Sequence, residues 1–290
     1  MSTFDSEQYK ASERQGWDAV ATGWQKWWKT IERSAEKVSK RLIELAVIRE
    51  GSRVLDVATG VGEPSITAAQ QVGNSGHVLA IDISSQMLSI AKQRAISLGL
   101  KDIIEFKEGD TETVDLPALT FDSALRRFGL MLLPSLETGL SNIYKSLVNE
   151  GRFAAAVWSS PDRVPFISLP LNIILKEIKS QQQPPPPANA PGPFSLSDEN
   201  LLRDSFIKSG FKGVTIERMN VAFEFGSAEE FTNFVYETTA PVQAILSKQS
   251  EERRRAILKA VTEAAASNYL EKSSGSVSLS NEAICIVGNK

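Results

Sequence analysis

The chain reads as an α/β protein with a seven-stranded, mostly parallel sheet, an antiparallel last strand, amino-terminal helices and a helical insertion. Two observations predict this class. Strand-like apolar runs alternate with helical segments from Arg53 to Trp158, the rhythm of a parallel sheet. After that rhythm ends, a long strand over Val214 to Phe225 and a final one over Ala283 to Val287 lack an ordinary crossover helix between them.

Taken in order, Glu13 to Thr30 places Trp17, Val20, Ala21, Trp24, Trp27 and Trp28 at helical intervals, one continuous aromatic face. That face either clamps a helix onto the core or forms a lid over a ligand site. A second helix is expected over Ala35 to Ile48, closed by Glu50-Gly51. Strand one ends in Val54-Leu55-Asp56-Val57, and the turn Ala58-Thr59-Gly60-Val61-Gly62 leads into a helix beginning at Glu63-Pro64. Strand two, His77 to Ile81, is followed by a helix capped at Ser84 or Ser85 and ended by Gly99. Strand three covers Ile103 to Lys107 and strand four Phe121 to Arg126. Pro134 opens a helix running to about Val148, and strand five spans Arg152 to Trp158. Gln181 to Pro187 is a polyproline-type segment, read as a stiff surface loop. The expected organisation is a helical lid over 1–50, an α/β core over 51–160, a Pro-rich insertion over 161–196 and a core continuation over 197–226. A helical lid over 227–274 and a last strand over 275–290 complete it.

Composition narrows the function classes. With 32 basic and 35 acidic residues the chain has no field to gather nucleic acid, so none is expected as a partner. No apolar run reaches the length of a membrane span, and the first residues lack the pattern of a signal peptide. A single cysteine, Cys285, permits no internal disulfide and no cysteine metal cluster. A cytoplasmic enzyme without a metal, acting on a small-molecule acceptor, is the expectation, with a homo-oligomer left open.

Three successive strands each deliver a small or acidic residue at the carboxyl end: Gly60 and Gly62, then Asp82, then Gly109-Asp110-Thr111. That edge is where open α/β sheets bind ligands. A Gly-x-Gly turn lets backbone approach a ligand closely, and an acid about 20 residues on can accept from both hydroxyls of a ribose. These residues resemble the first motifs of the class I S-adenosylmethionine-dependent methyltransferases, which have a Rossmann-like fold. Ala58 stands in place of the first motif glycine. Arg127-Phe128-Gly129-Leu130-Met131 and Ala155-Ala156-Val157-Trp158 place the chain nearest the ubiquinone/menaquinone-biosynthesis C-methyltransferase-like group. The resemblance implies S-adenosyl-L-methionine as cofactor, with contacts from Asp56, Ala58, Thr59, Gly60, Gly62, Asp82, Ile83, Met87, Gly109, Asp110, Thr111 and Arg127. Arg127 is read either as a clamp on a carboxylate or as a salt-bridging residue.

Methyl transfer is an in-line displacement, so the protein chiefly aligns the reactants and excludes water. Trp24, Trp28, Phe128 and Tyr236 are the expected walls of a pocket for an apolar or aromatic metabolite. The only histidine, His77, falls at the wrong end of its strand and reads as structural. Asp162, Tyr236 and Glu237 remain as candidate bases. Two rivals stay open: an NAD(P)-dependent oxidoreductase, against which Ser65 stands where a third glycine is wanted, and a non-catalytic cofactor-binding interaction protein.

Overall fold

The computed structural model describes residues 4–178 and 190–290. The polyproline segment lies outside the described residues. Seven strands form one sheet: β1 (Arg53–Val57), β2 (His77–Asp82), β3 (Ile104–Glu108), β4 (Phe121–Arg127), β5 (Leu147–Trp158), β6 (Lys212–Phe225) and β7 (Val277–Asn289). Their order is β3-β2-β1-β4-β5-β7-β6. The first five pair in parallel, and β7 lies antiparallel to both β5 and β6. Val54, Leu55, Val57, Val78, Ala80, Ile81, Ala124 and Leu125 are buried, as expected of inner parallel strands covered on both faces. The chain winds outward from β1 to β3, then restarts beside β1 with β4. The crevice above that reversal is where such sheets bind ligands.

Helices α2 (Ser65–Val72), α3 (Ser85–Ser97) and α4 (Leu136–Ser146) follow β1, β2 and β4. Ser84 caps α3, accepting from the Met87 amide at 3.1 Å. Pro64 proves to be the N-cap of α2, so the helix starts one residue after the expected proline. α4 stops at Ser146, short of Val148, because Leu147 already pairs with Phe121 as the first residue of β5. Between β5 and β6 lie α5 (Pro165–Glu177) and α6 (Glu199–Lys208). The late insertion folds as α7 (Ala228–Thr238), α8 (Ala240–Leu246) and α9 (Glu251–Tyr269).

The amino-terminal region corrects the sequence reading. The two expected helices are one, α1, spanning Ser6–Leu45. No glycine or proline interrupts the stretch around Glu32, and Ser34 donates its hydroxyl back to the Thr30 carbonyl at 3.0 Å, so nothing stops helix propagation there. α1 ends before Ile48, where Val47 takes a positive φ of 54°. At 1.5 Å per residue α1 is about 60 Å long, and its two halves meet different neighbours. Val38, Leu42 and Ile43 join the main core, whereas Val20 and Ala21 pack on Val61, Met87 and Ile90. α7 crosses α1 so closely at Gly23 that a Cβ there would lie 1.9 Å from the Glu237 carbonyl oxygen.

Candidate cofactor and acceptor site

β1 delivers Asp56 and the glycine turn. Gly60 (φ 57°) and Gly62 (φ 107°) take left-handed conformations that only glycine adopts without strain. A side chain at Gly60 would meet nothing within 4 Å, whereas one at Gly62 would press on Ile66 and Ala91. The turn thus presents an open cradle on one side and packs against helices on the other. Ala58, in the place of a motif glycine, also has positive φ at 60°, a conformation costing an alanine about 1–2 kcal/mol.

Asp82 ties this turn to the next one. Its Oδ2 accepts from the Gly60 amide at 2.8 Å and its Oδ1 from the Ser84 amide at 2.9 Å. Burial pushes its carboxyl above the usual range, while those amides and nearby Arg126 pull it back. Each carboxylate oxygen keeps a lone pair after these bonds. Asp110, after β3, accepts from Lys10 Nζ at 2.8 Å, and Glu112 accepts from the same ammonium at 2.7 Å. Asp18 of α1 takes the Ser84 hydroxyl at 2.5 Å. The amino-terminal half of α1 therefore lies across the loops after β2 and β3.

Several of the expected contacts also bind the protein's own scaffold together. Asp56 is wholly buried beneath the turn, accepting from the Ser65 hydroxyl at 2.5 Å; its other oxygen has no partner, and burial pushes it up to about 6. Thr59 donates its hydroxyl to Ser65 at 3.0 Å. For Arg127 the salt-bridging alternative is the one the structure displays. Both its terminal nitrogens bond Glu32, at 2.8 and 3.0 Å, and one also reaches Ser39 at 2.8 Å, so its guanidinium is spent on α1 and not on a ligand. Met87 is buried in the cluster facing α1. Ile83 and Gly109 are half-buried at the two loops, and Thr111 is buried where its hydroxyl accepts from Arg126 at 2.7 Å.

Arg126 is the residue sequence reasoning missed. It is buried, donates to Thr111 and to the Gly129 carbonyl at 2.9 Å, and leaves Nε without a partner. Burial lowers it to about 10, against the pull of Asp82, Asp110, Asp56 and Glu112. Alternation along β4 sends the two arginines to opposite faces. Adjacent arginines ending a buried strand must both find partners, and that was the available signal.

On the acceptor side, Phe128 (φ 57°) stacks on Trp158 with ring centres 3.9 Å apart. The run of rings continues through Phe166, tilted against Trp158 and Phe234 and stacked on Phe223, and Trp27 closes edge-on against Phe234 at 5.6 Å. Trp24 and Trp28 are both tied to neighbouring protein groups. The Trp24 indole donates to the Thr238 carbonyl at 2.9 Å, and Trp28 stacks on the Arg94 guanidinium at 4.5 Å. Tyr236 is half-buried against the core. Glu237 is engaged by Trp27 at 2.5 Å and Lys26 at 2.8 Å, and Asp162 is exposed beside Arg163. Neither carboxylate stands as a free base. His77 opens β2 at the edge away from the site, 3.5 Å from Glu105, and Cys285 is buried in β7 with its thiol pushed up to about 12 by burial.

A cradle at Gly60, an acid with spare acceptor capacity at Asp82 and orphaned polar atoms on Asp56 and Arg126 fit a polar, nucleoside-bearing cofactor. The strand order, with β7 antiparallel beside β5, departs from the 3-2-1-4-5-6 order of the dinucleotide-binding fold. A methyltransferase domain family matches residues 48–184. The ubiquinone/menaquinone biosynthesis C-methyltransferase UbiE of Bradyrhizobium sp. is 36% identical over 107 residues, 37% of this chain and 42% of that protein. The chain thus aligns with less than half of that relative. The enzyme of the same name from Pseudomonas fluorescens is 28% identical over 188 residues, covering 61% of this chain and 72% of the relative. The YcgJ protein of Bacillus subtilis shares the fold, with a TM-score of 0.58 at 16% identity over 88% of this chain and 98% of that one. With a methyltransferase domain matched over residues 48–184, the likenesses together support a class I S-adenosylmethionine-dependent methyltransferase. Within that class it resembles the UbiE C-methyltransferases. Among the described residues no helix is long and apolar enough to cross a membrane.

Proposed function

We propose that this enzyme methylates a small, planar, largely apolar acceptor such as a phenol or quinol. The aromatic run from Phe128 through Trp158 and Phe166 to Phe234 carries the reading, because it begins at the end of β4 and is continued by the helices that roof it. Ring stacking contributes about 0.5–1.5 kcal/mol beyond area burial, enough to favour a flat acceptor over an aliphatic one of equal size. The relatives' names, which specify ubiquinone and menaquinone biosynthesis, agree with a quinone-like ring.

Asp82 would hold the ribose of S-adenosyl-L-methionine, Asp110 and Thr111 would face the adenine, and the turn from Thr59 to Gly62 would hold the methionine end. Bound there, the cofactor supplies an electrophilic methyl on a sulfonium. The protein's own contribution is alignment and dryness: the tryptophan face of α1 and helices α5 and α7 keep water from the sheet edge. With no histidine at that edge, the acceptor's own acidity supplies the nucleophile.

Transfer of labelled methyl to a panel of phenols, quinols, aliphatic amines and amino acids tests the reading. Phenols or quinols should take up label. Labelling confined to the aliphatic amines or amino acids would overturn it.

A further inference from the structure

Arg94, in the last turn of α3, touches three groups at once. One terminal nitrogen donates to the Val61 carbonyl, the other lies 3.3 Å from Glu63 Oε1, and the guanidinium stacks 4.5 Å over the Trp28 ring. Its side chain is 11% exposed, so water competes little for these contacts. Val61 and Glu63 flank Gly62 on either side. Glu63 is further fixed from α2, accepting from the Thr67 hydroxyl at 2.7 Å.

A turn whose glycines take positive φ is locally soft, because glycine restricts the backbone least. Its Gly62 and Glu63 amides both donate to the Thr59 carbonyl, at 3.0 and 3.1 Å, which leaves the Val61 carbonyl and the Glu63 side chain to be held by contacts from outside it. Arg94 supplies those contacts from α3, while Trp28 presses on Arg94 from the helix that covers the site. A planar guanidinium can donate along two directions while its face stacks on a ring. A lysine ammonium cannot do all three.

We propose that Arg94 is a positioning residue for the cofactor, fixing the Val61-Gly62-Glu63 turn, and that Trp28 holds Arg94 in that pose so that seating α1 and shaping the turn are one event. The proposal rests on the cofactor and is independent of the acceptor class, so it is read by binding alone. Calorimetry of S-adenosylhomocysteine with the full chain should show Arg94→Met weakening affinity about tenfold, the scale of one charge-assisted hydrogen bond. Arg94→Lys should fail to restore it. Trp28→Ala should weaken affinity several-fold, and the double variant should lose no more than Arg94→Met alone. Thermal unfolding confirms that each variant is folded; if Arg94→Met is not, Arg94→Lys, with its loss undiminished, and Trp28→Phe carry the same comparison. Unchanged affinity, rescue by lysine, or losses that multiply in the double variant would each overturn the proposal.

Discussion

The cofactor half and the acceptor half of this molecule are built on different logics. Around β1, β2 and β3 the site is made of backbone amides, glycines and acids delivered by short turns, and Asp82 reaches the turn amides at 2.8 and 2.9 Å. Around β4, β5 and the helical insertion it is made of aromatic rings in contact, contributed by segments far apart in the chain, such as Phe128, Phe166 and Phe234. A polar ligand common to many enzymes can be held by a local string of residues. An apolar acceptor is held by whatever surfaces the fold brings together.

The largest expected effect tests whether the first half stands alone. Asp82→Ala unties the two turns and, on the proposed reading, removes hydrogen bonds to both ribose hydroxyls, each worth about 1.5–3 kcal/mol. Cofactor affinity should fall by two orders of magnitude or more; calorimetry giving wild-type affinity would dissolve the distinction.

Trp158→Ala addresses the second half. It opens a cavity beside Phe128 and should cost about 3–5 kcal/mol of stability in urea unfolding, with cofactor affinity in the surviving folded protein within about twofold of wild type. Equal losses in cofactor binding would mean that the halves are one unit.

The smallest effect is a change of slope. Asp56 titrates at about 6 in the folded chain against an ordinary 3.8 because burial disfavours its charge. Its contribution to stability is therefore full below 3.8 and lost as pH rises through about 6. Asp56→Asn should flatten the pH dependence of the unfolding midpoint across that window, and an unaltered slope would show that the buried carboxyl does not titrate there.

What could be read in the sequence follows the same division. The β order, the glycine turn, Asp82 and the Gly109-Asp110 loop are local patterns, and the structure places them along one edge. The contacts that close the site are long-range: Asp18 meets Ser84 across 66 positions, Arg127 meets Glu32 across 95, and Trp24 meets Thr238 across 214. Hydrophobic spacing put the tryptophans on one helical face but could not say which ring would meet Arg94, a carbonyl or another ring. Nor could it join two helices into α1, since the stretch between their apolar stripes, Ile31 to Ser34, holds polar residues that fit a loop or a helix interior equally.

Gly23 is where the two halves meet. The carboxyl end of α7, on the insertion, leaves no room for a side chain on α1 at that position, so the tilt of the helix above the cofactor is set by an element some two hundred residues downstream. A lineage that reshaped the insertion to admit a different acceptor would retilt α1 as well. The seat of α1 and the shape of the insertion are therefore set by one contact, and a side chain larger than hydrogen at position 23 would have to shift both.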